Sequence, residues 1–466
     1  MSKGSRKDTY RRKRRFLLGM GLLLIAAVVL LGYVLAQSFG ILQAQNPSDR
    51  TGPGGAAEST AVATTGITGG SGNTTAQNSP DTAEPGQNSQ EPGSSGQTPE
   101  DELHDRIKAL VDGMTLEEKV GQLVIVGVDG YGNDEHSKQL MEKYHVGGFI
   151  LFKKNIQDSN QLLNLLNSLK ETNAASNKVP MFLSVDEEGG RVSRLPDEFK
   201  KFPSNKVIGQ KNDGALSYQV GSILGKELGS FGFNMDFAPV LDINSNPENP
   251  VIGDRSFGTT AGLVSRLGME TMKGIRAENV ISVVKHFPGH GDTSVDSHVG
   301  LPRVNHDLRR LESFELVPFK AAIENNADAI MIAHILLPKL DPENPASFSK
   351  AVITDLLRTG MNFNGVVITD DFTMGAIVKN YDMGGAAVKS IQAGADIVLV
   401  CHGFDKQETV IKALLTAAQA GQISTERLEE SVCRVLELKQ RYSLDNAPAG
   451  PVDPQKINSE ISALFK

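Results

Sequence analysis

The stretch ISVVKHFPGHGDTSVDSHVGLP, residues 281–302, changes character partway along. Ile281, Val283 and Val284 form a short apolar, β-branched run, the pattern of a buried strand. Lys285 and His286 follow directly, and Pro288, Gly289 and Gly291 break regular structure. His290, Asp292, Asp296 and His298 lie within or just after that break. Packing alone does not select a buried strand that ends in a cation, an imidazole and a polar glycine-rich loop. Loops on a rigid scaffold carry function.

Three readings of the loop compete. It is a solvated surface loop; or His290, Asp292, Asp296 and His298 are metal ligands; or the triplet Asp296-Ser297-His298 does acid/base chemistry. For a metal, no Cys is near and the spacing fits neither a helical His pair nor a zinc ribbon. For acid/base work, residues i and i+2 of an extended segment face the same side. Asp296 would then hold one tautomer of His298 and support its protonated form.

Outward from this stretch, strand-like apolar runs recur at residues 123–128, 148–152, 181–185, 235–240, 329–333, 365–369 and 396–400. Helical patterns lie between them, at 161–170, 216–230, 263–278 and 311–325. A last pattern, 424–442, places Leu428, Val432, Val435 and Leu436 on one face, as in a closing helix packed by one side. Thr115 and Glu118 fit a capping box, and Thr98-Pro99 fits a helix start. Eight strands alternating with helices predict an α/β fold, a single (β/α)₈ TIM-type barrel over residues 98–445, with 446–466 as a C-terminal tail. A doubly wound sheet shows the same alternation, but no GxGxxG follows the first strand.

In such a barrel the chemistry sits at the C-terminal ends of the strands. Here those ends are repeatedly polar. Asp186, Arg191 and Arg194 follow the third strand, and Asp242, Asp254 and Arg255 the fourth. Lys285 and His286 end the fifth, His334 the sixth, and Asp370 and Asp371 the seventh. A single strand-end charge is usually a satisfied salt bridge; five strands ending this way around one rim read as a site. Strand alternation puts Asp370 and Asp371 on opposite faces, so only one of them is expected to point inward.

The chain has 466 residues and a formal net charge of −8, unevenly spread. Lys3, Arg6, Lys7, Arg11, Arg12, Lys13, Arg14 and Arg15 crowd residues 1–15 against Asp8 alone. The rest is therefore acidic, which argues against nucleic-acid binding. Residues 16–36 contain no charged side chain and match the length of a membrane-spanning helix. The basic cluster before them places the N-terminus in the cytoplasm and all that follows outside. An uncleaved anchor is expected; Val34 and Ala36 leave a cleavable signal, and so a secreted protein, as the alternative. Residues 37–97, rich in Gly, Ser, Thr and Pro, read as a flexible linker. The two cysteines, Cys401 and Cys433, make no disulfide framework and read as two buried thiols.

KHFPGHG followed by DSH and a proline resembles the family 3 glycoside hydrolases, in the β-N-acetylglucosaminidase (β-hexosaminidase) branch. That branch takes its general acid/base from a His–Asp dyad on this loop, where most glycosidases use a carboxylic acid. The resemblance covers roughly residues 98–444. It implies Asp296 and His298 as the dyad and, from TDDFTMGA, Asp370 as the nucleophile. From VDEEGGRVSRL, NPVIGDRSFG and KHFPGHG it implies Asp186, Arg194, Arg255, Lys285 and His286 as sugar ligands. Lys and Arg on the same rim are expected to keep Asp370 ionised. Many family 3 β-glucosidases take a Glu acid/base from a second domain. Only a short tail follows Tyr442, so the acid/base is expected from the barrel itself.

The resemblance implies a retaining β-N-acetylhexosaminidase acting on non-reducing terminal β-linked N-acetylglucosamine of peptidoglycan fragments. No cofactor and no metal are implied, and a monomer is expected. The alternatives are a phosphorylase on the same fold and a catalytically silent cell-wall-binding protein.

Overall fold

The computed structural model describes residues 99–466. The basic segment 1–15, the expected membrane span 16–36, the linker 37–97 and the cap at Thr98 lie outside the described residues. Among the described residues, no helix is long and apolar enough to cross a membrane.

Eight parallel strands, β1 (Val124–Gly127), β2 (Gly148–Leu151), β3 (Phe182–Val185), β4 (Met235–Asp236), β5 (Ile281–Phe287), β6 (Ala329–Ile332), β7 (Val366–Asp371) and β8 (Ile397–Val400), close into a barrel in chain order. β1 pairs with both β2 and β8, which shuts the ring. Every expected strand is present. β4 is shorter than its apolar run, and its continuation touches β5 only through the bridge of Val240 to Lys285. β5 and β7 run further than expected, through Lys285 and His286 and through Asp370 and Asp371.

The strands read as unbroken apolar runs because both faces are covered. Inward-facing side chains follow the two-residue period of a strand. Ile125, Ile150, Phe182, Met235, Ile281, Val283, Ala329, Met331, Val366, Ile368, Ile397 and Leu399 share the cluster inside the barrel. Val124, Val126, Val284, Phe287 and Val367 pack outward against helices.

The surrounding helices include Ser159–Ser176, Gly214–Phe231, Ala261–Ala277, Met383–Gln392 and Phe404–Gln419. The pattern at 311–325 is interrupted: helices Leu308–Ser313 and Val317–Glu324 flank a break, with Pro318 in the first turn of the second. Pro lacks the N–H that a continuous helix would use there. The Thr115–Glu118 capping box forms as expected. Residues 446–466 carry a helix, Pro454–Leu464, that buries Ile457 and Ile461. Asn458 ties it to the β3 loop through the Lys200 N–H and the Glu198 carbonyl. Cys401 is buried, Cys433 is partly buried, and both are free thiols.

The helix Thr425–Arg441 closes the N-terminal end of the barrel, with Leu428, Val432, Val435 and Leu436 buried. Val435 and Leu438 join the interior cluster. Between them and the strand starts lies Lys439, 3% exposed. Its Nζ donates to Gln122 Oε1 (2.6 Å) and to the Gly147 carbonyl (3.0 Å), and stands over the Phe182 ring. Burial pushes this amine down to about 7. An unfolded lysine titrates near about 10.4. Between those values the unfolded chain binds a proton that the folded chain does not, so stability rises with pH across that window. Lys439→Met removes this contribution. Urea unfolding of the two proteins should show the wild type gaining stability over the variant from about pH 7 to about pH 10; parallel curves would mean that the amine stays charged in the fold.

Candidate active site

The inward period of each strand continues past the apolar core into a cavity of about 360 Å³ at the C-terminal end of the barrel. Ile150, Met331 and Leu399 line it from below. One period further on come Phe152 on β2, Asp186 on β3, Lys285 on β5, Asp370 on β7 and Cys401 on β8, all on the same cavity. All eight residues singled out in the sequence line it: Asp186, Arg194, Arg255, Lys285, His286, Asp296, His298 and Asp370. The volume falls in the range of small-ligand pockets, roughly 300–1,000 Å³.

Two neighbours depart from strict alternation. Lys285 and His286 both face the cavity; the register of β5 against β6 slips between Val284 and Phe287, and the peptide joining the two residues is cis. Asp370 and Asp371 likewise both line it, contrary to the expectation that only one would, because β7 slips against β8 between Ile368 and Asp371.

The two carboxylates nevertheless differ. Asp371 accepts hydrogen bonds from Thr373 N (2.9 Å), Thr373 Oγ1 (2.5 Å) and Cys401 N (3.0 Å). Asp370 accepts from Asp371 N alone (2.8 Å) among the described residues. Burial would raise the Asp370 carboxyl; the imidazoles of His334, His286 and His298 and the Asp371 N–H outweigh it and hold Asp370 below its ordinary value. The expected Lys and Arg are not the cause, because their charges are spent on other carboxylates.

Those cations form a buried network. Glu188 takes Arg255 through both oxygens, at 2.8 and 2.6 Å, and Lys285 at 2.7 Å. Lys285 also reaches Asp186 at 2.5 Å. Burial opposes the Glu188 charge, but Arg255 and Lys285 prevail and hold the carboxyl far below the usual range. Arg255 Nη2 lies 3.5 Å from His286 Nε2, whose Nδ1 donates to the buried Asp242 at 2.6 Å. Asp242 is ionised against its burial by His286 and His290, and also accepts the His290 N–H at 2.6 Å. Arg191 is tied to Asp254 at 2.8 Å. Arg194 alone among the cations lining the cavity has no carboxylate in ion-pair range among the described residues. Its backbone N–H is clipped by Glu187 (2.7 Å), which faces away from the cavity.

The loop after β5 is stitched on both sides. On one, Asn249 Nδ2 donates to the His290 carbonyl (2.9 Å). On the other, Gly375 N and Ala376 N donate to the carbonyls of His298 (3.1 Å) and Ser297 (3.0 Å). A Cβ on Gly375 would stand 2.5 Å from the His298 carbonyl oxygen, so this docking needs glycine. Asp296 Oδ1 accepts from both the N–H (2.8 Å) and Nδ1 (2.9 Å) of His298. Burial opposes the Asp296 charge, but those two donors lower its carboxyl. The His298 side chain is 65% exposed, with Nε2 left for a ligand. His290 is the opposite: Thr293 Oγ1 (2.7 Å) and Ser297 Oγ (3.1 Å) occupy its ring. Burial, joined by the His286 imidazole, pushes it down to about 4 against the pull of Asp242.

The sequence reading did not single out Glu188, Phe152 or His402. Glu188 follows Asp186 by the same two-residue step that marks Asp186. Phe152 and His402 stand where β2 and β8 end, the position that flagged the other strands. His334 is buried behind the site, donating from Nε2 to the Asp371 carbonyl (3.0 Å).

The arrangement suits a polar, hydroxylated ligand, with an ionised carboxylate at its floor and a carboxylate-held imidazole at its rim. The comparisons agree. Residues 115–438 match the family model "Glycosyl hydrolase family 3 N terminal domain". The chain is 36% identical over 354 residues to "Beta-hexosaminidase A" of Pseudoalteromonas piscicida, covering 70% of this chain and 59% of that relative. It is 31% identical over 331 residues to a "Beta-hexosaminidase" of Idiomarina loihiensis, covering 70% of this chain and 98% of the relative. A solved family 3 β-N-acetylglucosaminidase from Paenibacillus sp. superposes with a TM-score of 0.73 at 43% identity, over 76% of this chain and 68% of that one.

Glu188→Gln keeps the shape but strips the charge from between two buried cations. Breaking such a network costs about 3–5 kcal/mol. Urea unfolding at neutral pH should show a loss of that order; a loss below about 1 kcal/mol, the scale of an exposed pair, would place the cations in contact with water.

Proposed function

The chain belongs to glycosyl hydrolase family 3, among its β-N-acetylhexosaminidases, and on that premise we propose a retaining hydrolase that removes non-reducing terminal β-linked N-acetylglucosamine from peptidoglycan fragments. The observation that supports it is the contrast between Asp370 and His298. Both line one cavity; one is a half-buried, ionised carboxylate with a single donor, the other an exposed imidazole held by Asp296.

In this reading Asp370 attacks C1 of the terminal sugar while His298 Nε2–H passes its proton to the glycosidic oxygen. The C1–O bond breaks, the aglycone leaves as an alcohol, and a glycosyl ester forms on Asp370. A water then enters. His298, now neutral, takes its proton, the water oxygen bonds to C1, and Asp370 leaves as carboxylate. Asp296 fixes the tautomer and stabilises the imidazolium. Arg194, with its guanidinium unspent, and Asp186, Lys285, Arg255 and His286, held by Glu188 and Asp242, bind the sugar hydroxyls. Charged hydrogen bonds discriminate strongly because an absent partner leaves them unpaired.

Asp370→Ala should abolish turnover while leaving the thermal melt near that of the wild type. A 2-fluoro or 5-fluoro N-acetylglucosaminyl analogue should label Asp370; a label on Asp371 would reverse the assignment. His298→Ala should lose about 10²–10⁴-fold on natural saccharides, lose much less on an activated aryl glycoside in the first step, and regain rate with azide. Equal losses on both substrates with no azide response would make His298 a sugar ligand. Products formed only when phosphate is present would identify a phosphorylase instead.

We further propose that residues 16–36 anchor the enzyme with the barrel outside the cytoplasmic membrane, on the strength of the charge-free run behind the basic cluster. Protease added to intact cells should release active enzyme cut within residues 46–97. Activity confined to the cytosol would refute this.

A further inference from the structure

The cavity has a second, differently built wall. The groups that engage hydroxyls come from β3, β4 and β5, whereas Asp370 comes from β7. In a pyranose the hydroxyls on C3, C4 and C6 lie across the ring from C1. A sugar held by the first group and attacked by Asp370 therefore turns its scissile bond away from β3–β5. The dyad loop follows the same direction, since it leaves β5 but docks on Gly375 and Ala376 beyond β7. What the leaving group meets next is the rim formed by β8, β1 and β2.

That rim carries an aromatic pair and two uncompensated cations. Phe152 and His402 both line the cavity, with ring centroids 4.7 Å apart and planes tilted by 47°. They meet across β1 because β1 and β8 run very close: a Cβ on Gly127 would lie 1.9 Å from the Cys401 carbonyl oxygen. Lys154 Nζ donates to His402 Nδ1 at 3.2 Å, which leaves the imidazole proton on Nε2. Lys406 lies near the same ring. Among the described residues neither Lys154 nor Lys406 has a carboxylate in ion-pair range, whereas Lys153 beside them is held by Asp197 at 2.9 Å. The nearest carboxylates are engaged: Asp371 by three donors, Asp129 facing His136 at 3.8 Å. Burial first, then Lys154 and Lys406, depress the His402 imidazole against the pull of Asp371 and Asp129, which keeps it a neutral donor.

We propose that Phe152, His402, Lys154 and Lys406 form the leaving-group subsite and that it selects an aglycone sugar bearing a carboxylate. This rests on the hydrolase reading above and specifies which of its substrates fit best. The two rings offer an apolar face to the C–H face of a sugar, His402 Nε2–H donates to a hydroxyl or carboxylate oxygen, and the ammonium groups meet the negative charge. In a chain whose net charge is −8, two unpaired lysines at the mouth of the cavity also draw an anionic substrate toward it.

The test compares two disaccharides that share the terminal N-acetylglucosamine: one β-linked to a sugar carrying a lactyl carboxylate, the other to neutral N-acetylglucosamine. The readout is the ratio of their kcat/KM values in one enzyme. The wild type should favour the acidic aglycone, and added salt should shrink the ratio. Lys154→Met and Lys406→Met should each lower it by roughly fivefold, the scale of an exposed ion pair. Lys154→Glu should lower it further, and the thermal melt checks the fold of each variant. Turnover of both disaccharides with a ratio unmoved by salt or by the lysine variants overturns the subsite assignment alone. Failure of the wild type to cleave either overturns the hydrolase reading, and the subsite with it.

Discussion

In a closed barrel of parallel strands every second side chain points at the axis, and the site depends on that constraint. The axis is filled by Ile281 and Val283 on β5, Val366 and Ile368 on β7, and Ile397 and Leu399 on β8. The next step of the same period lies above the packed layers, where nothing apolar is left to cover it. Lys285, Asp370 and Cys401 occupy those steps. The core thus aims the chemistry: a shift by one residue in any strand would expose its apolar set and withdraw its polar one. The two slips that do occur, after Val284 and after Ile368, lie above the core, where each adds a neighbouring residue to the cavity without disturbing the layer below.

Charge placement then separates the groups by task. Lys285 and Arg255 are buried cations that can exist there only because Glu188 and Asp186 compensate them. This fixes their geometry but spends their field, so Asp370 owes its low proton affinity to imidazoles and one backbone N–H. Arg194 and the pair Lys154 and Lys406 keep their charge for a ligand, on opposite walls of the cavity. One wall is preorganised and dry, as a small rigid sugar requires; the other is open, as a variable aglycone requires.

The sequence made the barrel legible because eight apolar runs of strand length are hard to place otherwise. It was less informative where local order breaks. Pro318 was the available sign that the 311–325 pattern splits. Nothing in TDDFTMGA announces the slip that turns Asp371 inward. Residue type was also a weaker guide than position. Asp396 and Asp328 are as buried and acidic as Asp242, yet they stand at strand starts and are consumed by arginines: Asp396 by Arg358, Arg427 and Arg434, Asp328 by Arg276 and Arg441. Only carboxylates past the strand ends face the cavity. Applied to all eight strands, that rule would have found Phe152 and His402, since both stand where strands end. Glu188 needed the network itself, because its partners come from β4 and β5 loops distant in sequence.

The loop after β5 holds two histidines close together, and their contrast bears on how an imidazole replaces a carboxylic acid. His290 is buried, has both ring nitrogens occupied, and is pushed down to about 4. It is a neutral strut between Asp242 and Ser297. An acid/base group must hold a proton in one half of a double displacement and accept one in the other, so its two forms must lie close in free energy. Burial destroys that balance for an imidazole, while for a carboxylic acid it raises the proton affinity toward neutrality, as for Glu187 at about 7. A glycosidase that uses histidine must therefore keep it wet, and must fix its position by means other than packing. The backbone clamps on His298, from Asp296 on one side and Gly375 on the other, supply that fixation while the ring stays in contact with solvent and leaving group alike.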